Sequence, residues 1–117
     1  MSRLIPLPIH SALEIVLGTA IIAAPLVLGL GTAALVTGFA VGVLVIGLAV
    51  GATGSGRGAI PVSAHAAYDG GIGVGLIAAG VVLGVAGDLG ALAVLGTAGV
   101  FLLLLNATTR YSLRAGA

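Results

Sequence analysis

Four side chains in this 117-residue chain stand out as able to do chemistry: His10, Glu14, His65 and Asp69. They form two pairs at the same spacing, His10 with Glu14 and His65 with Asp69, each four residues apart. Four residues is about one helical turn, so the members of a pair share a helix face. Two matched carboxyls can bind a proton or a cation. Two matched imidazoles can ligate a haem, and His plus a carboxylate from each copy makes a four-ligand metal set. The structural alternative is that each carboxylate accepts a hydrogen bond from its own histidine one turn earlier. The pair then anchors the start of a helix at the membrane surface. A carboxylate at the centre of a membrane helix costs about 2.5–3.5 kcal/mol on insertion scales, so either use must compensate for that.

No other constellation competes. Cysteine is absent, which excludes disulfides, thiolate metal sites and a cysteine nucleophile. No nucleophile–base–acid set is present, and no glycine-rich segment reads as a phosphate loop, because there is no lysine and no strand before it. The reading is therefore non-enzymatic, with no catalytic residue, no assigned metal and no assigned cofactor. Ser11, Thr19, Thr37, Thr97 and Asn106 are expected to bond to their own helix backbones.

Composition dictates what must position these residues. Sixty per cent of the chain is hydrophobic, another 21 residues are glycine, and only 6% are charged, for a net charge of +1. A soluble domain carries roughly 25% charged residues. So small a chain cannot hide this much apolar surface from water. A soluble globular domain, a disordered chain and a nucleic-acid binder are all excluded. The expected surroundings are the lipid bilayer.

Four apolar stretches follow, at residues 9–30, 32–52, 64–86 and 89–107. Each is long enough to cross a hydrocarbon core of about 30 Å as a helix. Strands fit poorly, because a membrane strand alternates apolar and polar residues. Gly29 to Thr32 reads as a tight turn with Thr32 as the N-cap of the second span. Asp88 reads as the N-cap of the fourth. Pro25 marks a kink or an opening in the first helix. Tyr68 and Tyr111 are candidates for the interface.

An internal repeat organises the spans. Shifted by 55 residues, Ile5–Leu30 aligns with Ile60–Val85 without a gap and with eleven of 26 positions identical. Ile5-Pro6 meets Ile60-Pro61, His10 meets His65, Glu14 meets Asp69 and Gly18 meets Gly73. The fold class is thus all-α: one membrane domain holding a four-helix bundle of two tandem hairpins. Repeat 1 covers residues 5–53, a linker 54–59, repeat 2 60–108 and a tail 109–117. An even number of spans per repeat makes the two copies parallel. His10, Glu14, Gly18, Pro25 and Gly29 fall within a roughly 100° arc of the first helix, as do His65, Asp69, Gly73, Gly80 and Gly84 of the third. These stripes are expected to face the bundle interior and each other.

The remaining glycines read as packing devices. Gly38 with Gly42 and Gly47 with Gly51 lie on nearly opposite faces of the second helix, so one pair can pack inside and the other against a neighbour. Gly71 with Gly75 and Gly80 with Gly84 repeat the theme in the third helix. The expected partners are a second copy of the chain or a larger membrane complex.

Leu17-Gly18, Pro25 seven residues after that glycine, and Val27-Leu28-Gly29 resemble the SPW repeat, a two-helix membrane module of bacterial proteins. The name-giving triplet is Ala24-Pro25-Leu26 in the first copy and Ala79-Gly80-Val81 in the second, so its tryptophan is missing. That resemblance implies a small integral membrane protein with no established activity. Ala12-Leu13-Glu14-Ile15 followed by Gly18-Thr19 is similar to the first-helix motif of small multidrug resistance transporters. It implies coupled transport through the first-helix acid, Glu14, and the matched carboxyls of Glu14 and Asp69 by themselves leave a proton- or cation-coupled small-molecule transporter as an alternative. The absent tryptophan, the extra acid at Asp69 and the tandem repeat depart from that family.

Orientation follows from arginine. With four spans, Arg3, Arg57, Arg110 and Arg114 all lie on one side with both termini, and the two tight turns on the other side carry none. The positive-inside rule makes that side cytoplasmic at the cell membrane. Glu14 interrupts the apolar run after Arg3, which argues against a cleaved signal peptide. Because the chain has no cysteine, single-cysteine variants report topology cleanly. In intact cells a membrane-impermeant maleimide is expected to label Gly31→Cys and to spare Ser55→Cys and Ser112→Cys. The reverse pattern would invert the orientation.

Overall fold

The computed structural model describes residues 4–53 and 62–110. Four helices dominate it: α1 (Leu7–Val27), α2 (Thr32–Thr53), α3 (Val62–Val85) and α4 (Leu89–Thr108). All four are long and apolar enough to cross a membrane. They form the expected four-helix bundle of a multi-pass membrane protein, α1 packing chiefly on α2 and α3 on α4, with thinner contact between the hairpins. Large apolar side chains such as Val16, Phe39, Val74 and Leu104 point outward, while His10, Glu14, His65 and Asp69 are fully buried. A soluble protein does the opposite.

Sequence explains where the helices stop. Gly29 and Gly87 are the positive-φ residues among those described, at +66° and +110°. Each follows a helix end and closes the same pattern. Leu30 N–H donates to Pro25 O at 2.9 Å and Gly29 N–H to Leu26 O at 3.2 Å; Asp88 N–H donates to Leu83 O at 2.9 Å and Gly87 N–H to Gly84 O at 3.0 Å. These are Schellman closures, which a glycine in the left-handed region makes possible. Gly29 therefore belongs to the turn rather than to the α1 stripe. Asp88 caps α4 as expected, accepting from Ala91 N–H at 2.9 Å. Thr32 does not cap α2. The helix starts at Thr32 itself, and Gly31 holds the cap position, its carbonyl accepting from Leu35 N–H at 3.0 Å.

Pro25 lies inside α1, which continues for two residues beyond it. Proline has no N–H, so the carbonyl of Ile21 loses its usual helical partner. Gly38 of α2 sits against that carbonyl, so close that a Cβ there would lie 2.7 Å from the oxygen. At the matching position of repeat 2, Gly80 carries no such constraint, and α3 runs to Val85. Within each hairpin the two helices cross at reciprocal glycines. A Cβ on Gly42 would meet Gly18 O at 2.6 Å and one on Gly18 would meet Gly42 O at 2.8 Å; in repeat 2 a Cβ on Gly99 would meet Gly73 O at 2.6 Å. Gly84 packs on Leu92. Gly38 and Gly42 form the inner α2 seam, whereas Gly47, Gly71 and Gly75 face open space; Gly51 lies in the last turn of α2.

The hairpins share an apolar core of Ile21, Val45, Leu76, Leu95, Ala98 and Leu102. Beside it, a cleft of about 480 Å³ opens between α1 and α4, lined by residues such as Leu13, Leu17, Val94 and Phe101. At the end carrying both described chain ends, β1 (Ile5–Pro6) pairs in parallel with β2 (Thr109–Arg110). This two-residue ladder was not expected, and it makes Thr109 a packed residue rather than the start of a tail. Arg3, Arg57, Tyr111, Arg114, Pro61 and the linker 54–59 lie outside the described residues. Gly42→Ala is expected to destabilise by about 1–3 kcal/mol, because backbone oxygen cannot move aside, whereas Gly47→Ala changes stability by less than about 1 kcal/mol. Thermal unfolding in detergent, followed by circular dichroism, checks both.

Candidate functional site

The α1 stripe that sequence periodicity marks is the buried face of that helix: Leu7, His10, Ser11, Glu14, Gly18, Ile21 and Pro25. His65, Asp69, Gly73 and Leu76 continue it on α3. The two stripes meet, as expected, and bring His10, Glu14, His65 and Asp69 into one group within the first turns of α1 and α3. In α1 neither His10 nor Glu14 serves as the helix cap: Pro6 occupies the N-cap position with no side-chain hydrogen bond. The pairs within each repeat are therefore part of a larger buried cluster between helices.

Its geometry crosses the repeats. His10 Nε2 lies 2.8 Å from Asp69 Oδ2, and His65 Nε2 lies 2.8 Å from Glu14 Oε1. The expected pairs within each repeat persist beside these: His10 Nε2 contacts Glu14 Oε1, and His65 Nε2 is 3.1 Å from Asp69 Oδ2. Each Nε2 thus faces one oxygen of both acids. The imidazoles stand edge to face, their centroids 5.5 Å apart at 69°. The spacing could not reveal that cross-pairing, because it depends on how the hairpins face each other.

Thr109 completes the group. Its hydroxyl donates to Leu105 O at 2.6 Å, and its oxygen lies 2.6 Å from His10 Nδ1. A hydroxyl has one hydrogen, already given to Leu105, so His10 Nδ1–H is the donor in that second bond. The hydrogen-bond network therefore assigns His10 a proton on Nδ1 and turns Nε2 to the carboxylates. Sequence reading missed Thr109; its one local signal is a small hydroxyl residue among apolar ones at the end of a span. Ser11 Oγ and Glu14 Oε2 are buried with no hydrogen-bond partner among the described residues. Ser11 does not bond to its helix backbone as expected. Thr19 does, donating to Ile15 O at 2.8 Å, whereas Asn106 donates across to Ala66 O of α3 at 3.3 Å.

Chemically, the group offers four convergent lone-pair donors. One ligand atom from each of His10, Glu14, His65 and Asp69 lies within 4.8 Å of every other. Those four residues can hold a cation or share protons. A haem plane finds no room between the imidazoles, because both Nε2 atoms touch the same two carboxylate oxygens. Tyr68, the residue before Asp69 in the sequence, is exposed on the outside of α3. Comparison with protein-family models, with curated proteins and with solved structures finds no match.

Removing one partner of a buried, hydrogen-bonded ion pair costs about 3–5 kcal/mol, because the other charge is left uncompensated. Asp69→Ala is therefore expected to destabilise the bundle by about that amount. Asp88→Ala removes only a helix cap and costs about 1 kcal/mol. Equal losses for the two variants, measured by denaturation in mixed micelles, would mean that the cluster contributes no more than a cap.

Proposed function

We propose that the chain is a small, non-enzymatic membrane protein whose two hairpins are latched together by the buried His–carboxylate cluster. It would serve as a structural or accessory component. One observation carries this reading: both 2.8 Å contacts join α1 of one hairpin to α3 of the other. Apolar surface gains little by leaving lipid for protein, so polar pairs and close glycine contacts are what give membrane helices specific partners. The glycines hold each hairpin together internally; the cluster is placed to hold the hairpins to each other.

The rest of the proposal follows from sequence. The four arginines favour a cytoplasmic location for the cluster end and both termini. The two-copy pattern around Gly18, Pro25 and Gly29 supports kinship with SPW-repeat proteins. Exposed Gly47, Gly71 and Gly75 leave smooth patches on α2 and α3 against which a second copy or a larger complex can pack. The rival is coupled transport through Glu14 and Asp69. It requires the carboxyls to be reached by substrate, and the α1–α4 cleft is lined almost wholly by apolar side chains.

A double-mutant cycle tests the latch. His10→Ala and Asp69→Ala are expected to couple by about 0.5–3 kcal/mol in unfolding free energy, and His10→Ala with Asp88→Ala to add within about 0.5 kcal/mol. In proteoliposomes the wild-type chain is expected to move no protons under a pH gradient. Additive behaviour of His10 and Asp69 would overturn the latch. Flux abolished by Glu14→Gln with Asp69→Asn would install the transporter.

A further inference from the structure

We propose that the latch is a binding site for one divalent transition-metal ion of the zinc, cobalt(II) or iron(II) class, held by His10, Glu14, His65 and Asp69. The proposal deepens the latch reading and rests on it. It departs from the sequence reading, which assigned no metal to these residues.

Hydrogen counting is the first argument. Each Nε2 holds at most one hydrogen, yet each makes two inward contacts, one with Glu14 Oε1 and one with Asp69 Oδ2. With both imidazoles protonated, two hydrogens must serve four nitrogen–oxygen contacts. A cation at the centre meets all four lone pairs at once.

Size is the second. Zinc–nitrogen and zinc–oxygen bonds of about 2.0–2.2 Å in a tetrahedron place donor atoms about 3.3–3.6 Å apart. Three of the observed donor separations are 2.8, 2.8 and 3.1 Å, and none exceeds 4.8 Å. Side-chain adjustments that widen the short contacts and draw in the widest separation give the tetrahedral set.

Charge and donor type select the ion. Two carboxylates neutralise a dication, which leaves no net charge among membrane helices. An alkali cation would leave one negative charge. Imidazole nitrogen suits zinc, cobalt and iron, whereas calcium takes six to eight oxygens and magnesium keeps several waters. Copper(I) favours thiolate and thioether, and the chain has no cysteine.

The surrounding shell is the fourth argument. Metal-bound histidines almost always donate their other ring N–H to a second partner that fixes the tautomer. Thr109 does this for His10. Glu14 Oε2, buried and without a hydrogen-bond partner among the described residues, is a second oxygen through which Glu14 can ligate. Thr109 is thus a positioning residue for the site.

The test uses the full chain in lipid nanodiscs, stripped with a chelator and titrated with Co²⁺. The expected result is one cobalt per chain with the intense visible bands of tetrahedral coordination, bleached by added Zn²⁺. His10→Gln and His65→Gln are expected to lose those bands, and Asp88→Asn to keep them. Thr109→Val is expected to weaken binding about 10–100-fold, as for other outer-shell partners, with Thr109→Ser restoring it. Absence of stoichiometric cobalt in the wild-type chain would overturn the metal site, as would binding that survives His65→Gln unchanged. If cobalt fails to bind while His10 and Asp69 still couple in stability, the latch stands on ion pairs alone. Lost coupling overturns the latch itself.

Discussion

The contacts of His10 with Asp69 and of His65 with Glu14 join two hairpins that apolar burial alone cannot hold in register. Lipid tails are as apolar as leucine, so the core of Ile21, Leu76 and Leu95 gains little by excluding them. A buried acid in that setting is different. Separated hairpins would keep only the pair within each repeat, His10 with Glu14 and His65 with Asp69, and would turn those polar groups toward hydrocarbon. The geometry therefore makes the docked arrangement of α1 and α3 much cheaper than a separated one. The internal repeat matters for the same reason: it places a donor and an acceptor on each hairpin at equal depth.

Within a hairpin a different constraint rules. Gly18 and Gly42, and in the second copy Gly73 and Gly99, bring backbones so close that side chains are excluded. Dispersion and weak Cα–H contacts to carbonyls act at that distance. Pro25 adds a further device, since the carbonyl it frees lies against Gly38. These local seams stiffen each hairpin, and a stiff hairpin can present its histidine and acid at a fixed angle. The β1–β2 pairing then brings Thr109 under His10 and ties the far end of α4 to the start of α1.

Much of this was legible in the sequence, for definite reasons. Apolar length alone marks the four helices, and the shared spacing of His10–Glu14 and His65–Asp69 marks the face that α1 and α3 bury. Asp88 is a readable cap because its side chain acts locally. Four things escaped. Cross-pairing depends on the relative facing of the hairpins, which no local pattern encodes. Thr109 acts through a fold that returns the end of the chain to its start. Thr32 looked like a cap by residue type, yet the Schellman turn at Gly29 hands that position to Gly31. Likewise Gly47 and Gly38 are equivalent as letters, and only packing shows one open and the other pressed on Ile21.

The central claim is that the cluster sets the relation between the hairpins. Pulsed electron paramagnetic resonance between spin labels at Val16→Cys on α1 and Phe101→Cys on α4 measures that relation directly, because both positions are exposed beside the interhairpin cleft. The account predicts one narrow distance distribution in the otherwise wild-type chain. It predicts a broadened one when His10→Ala and His65→Ala are added with helix content retained. An equally narrow, unshifted distribution in that variant would contradict it.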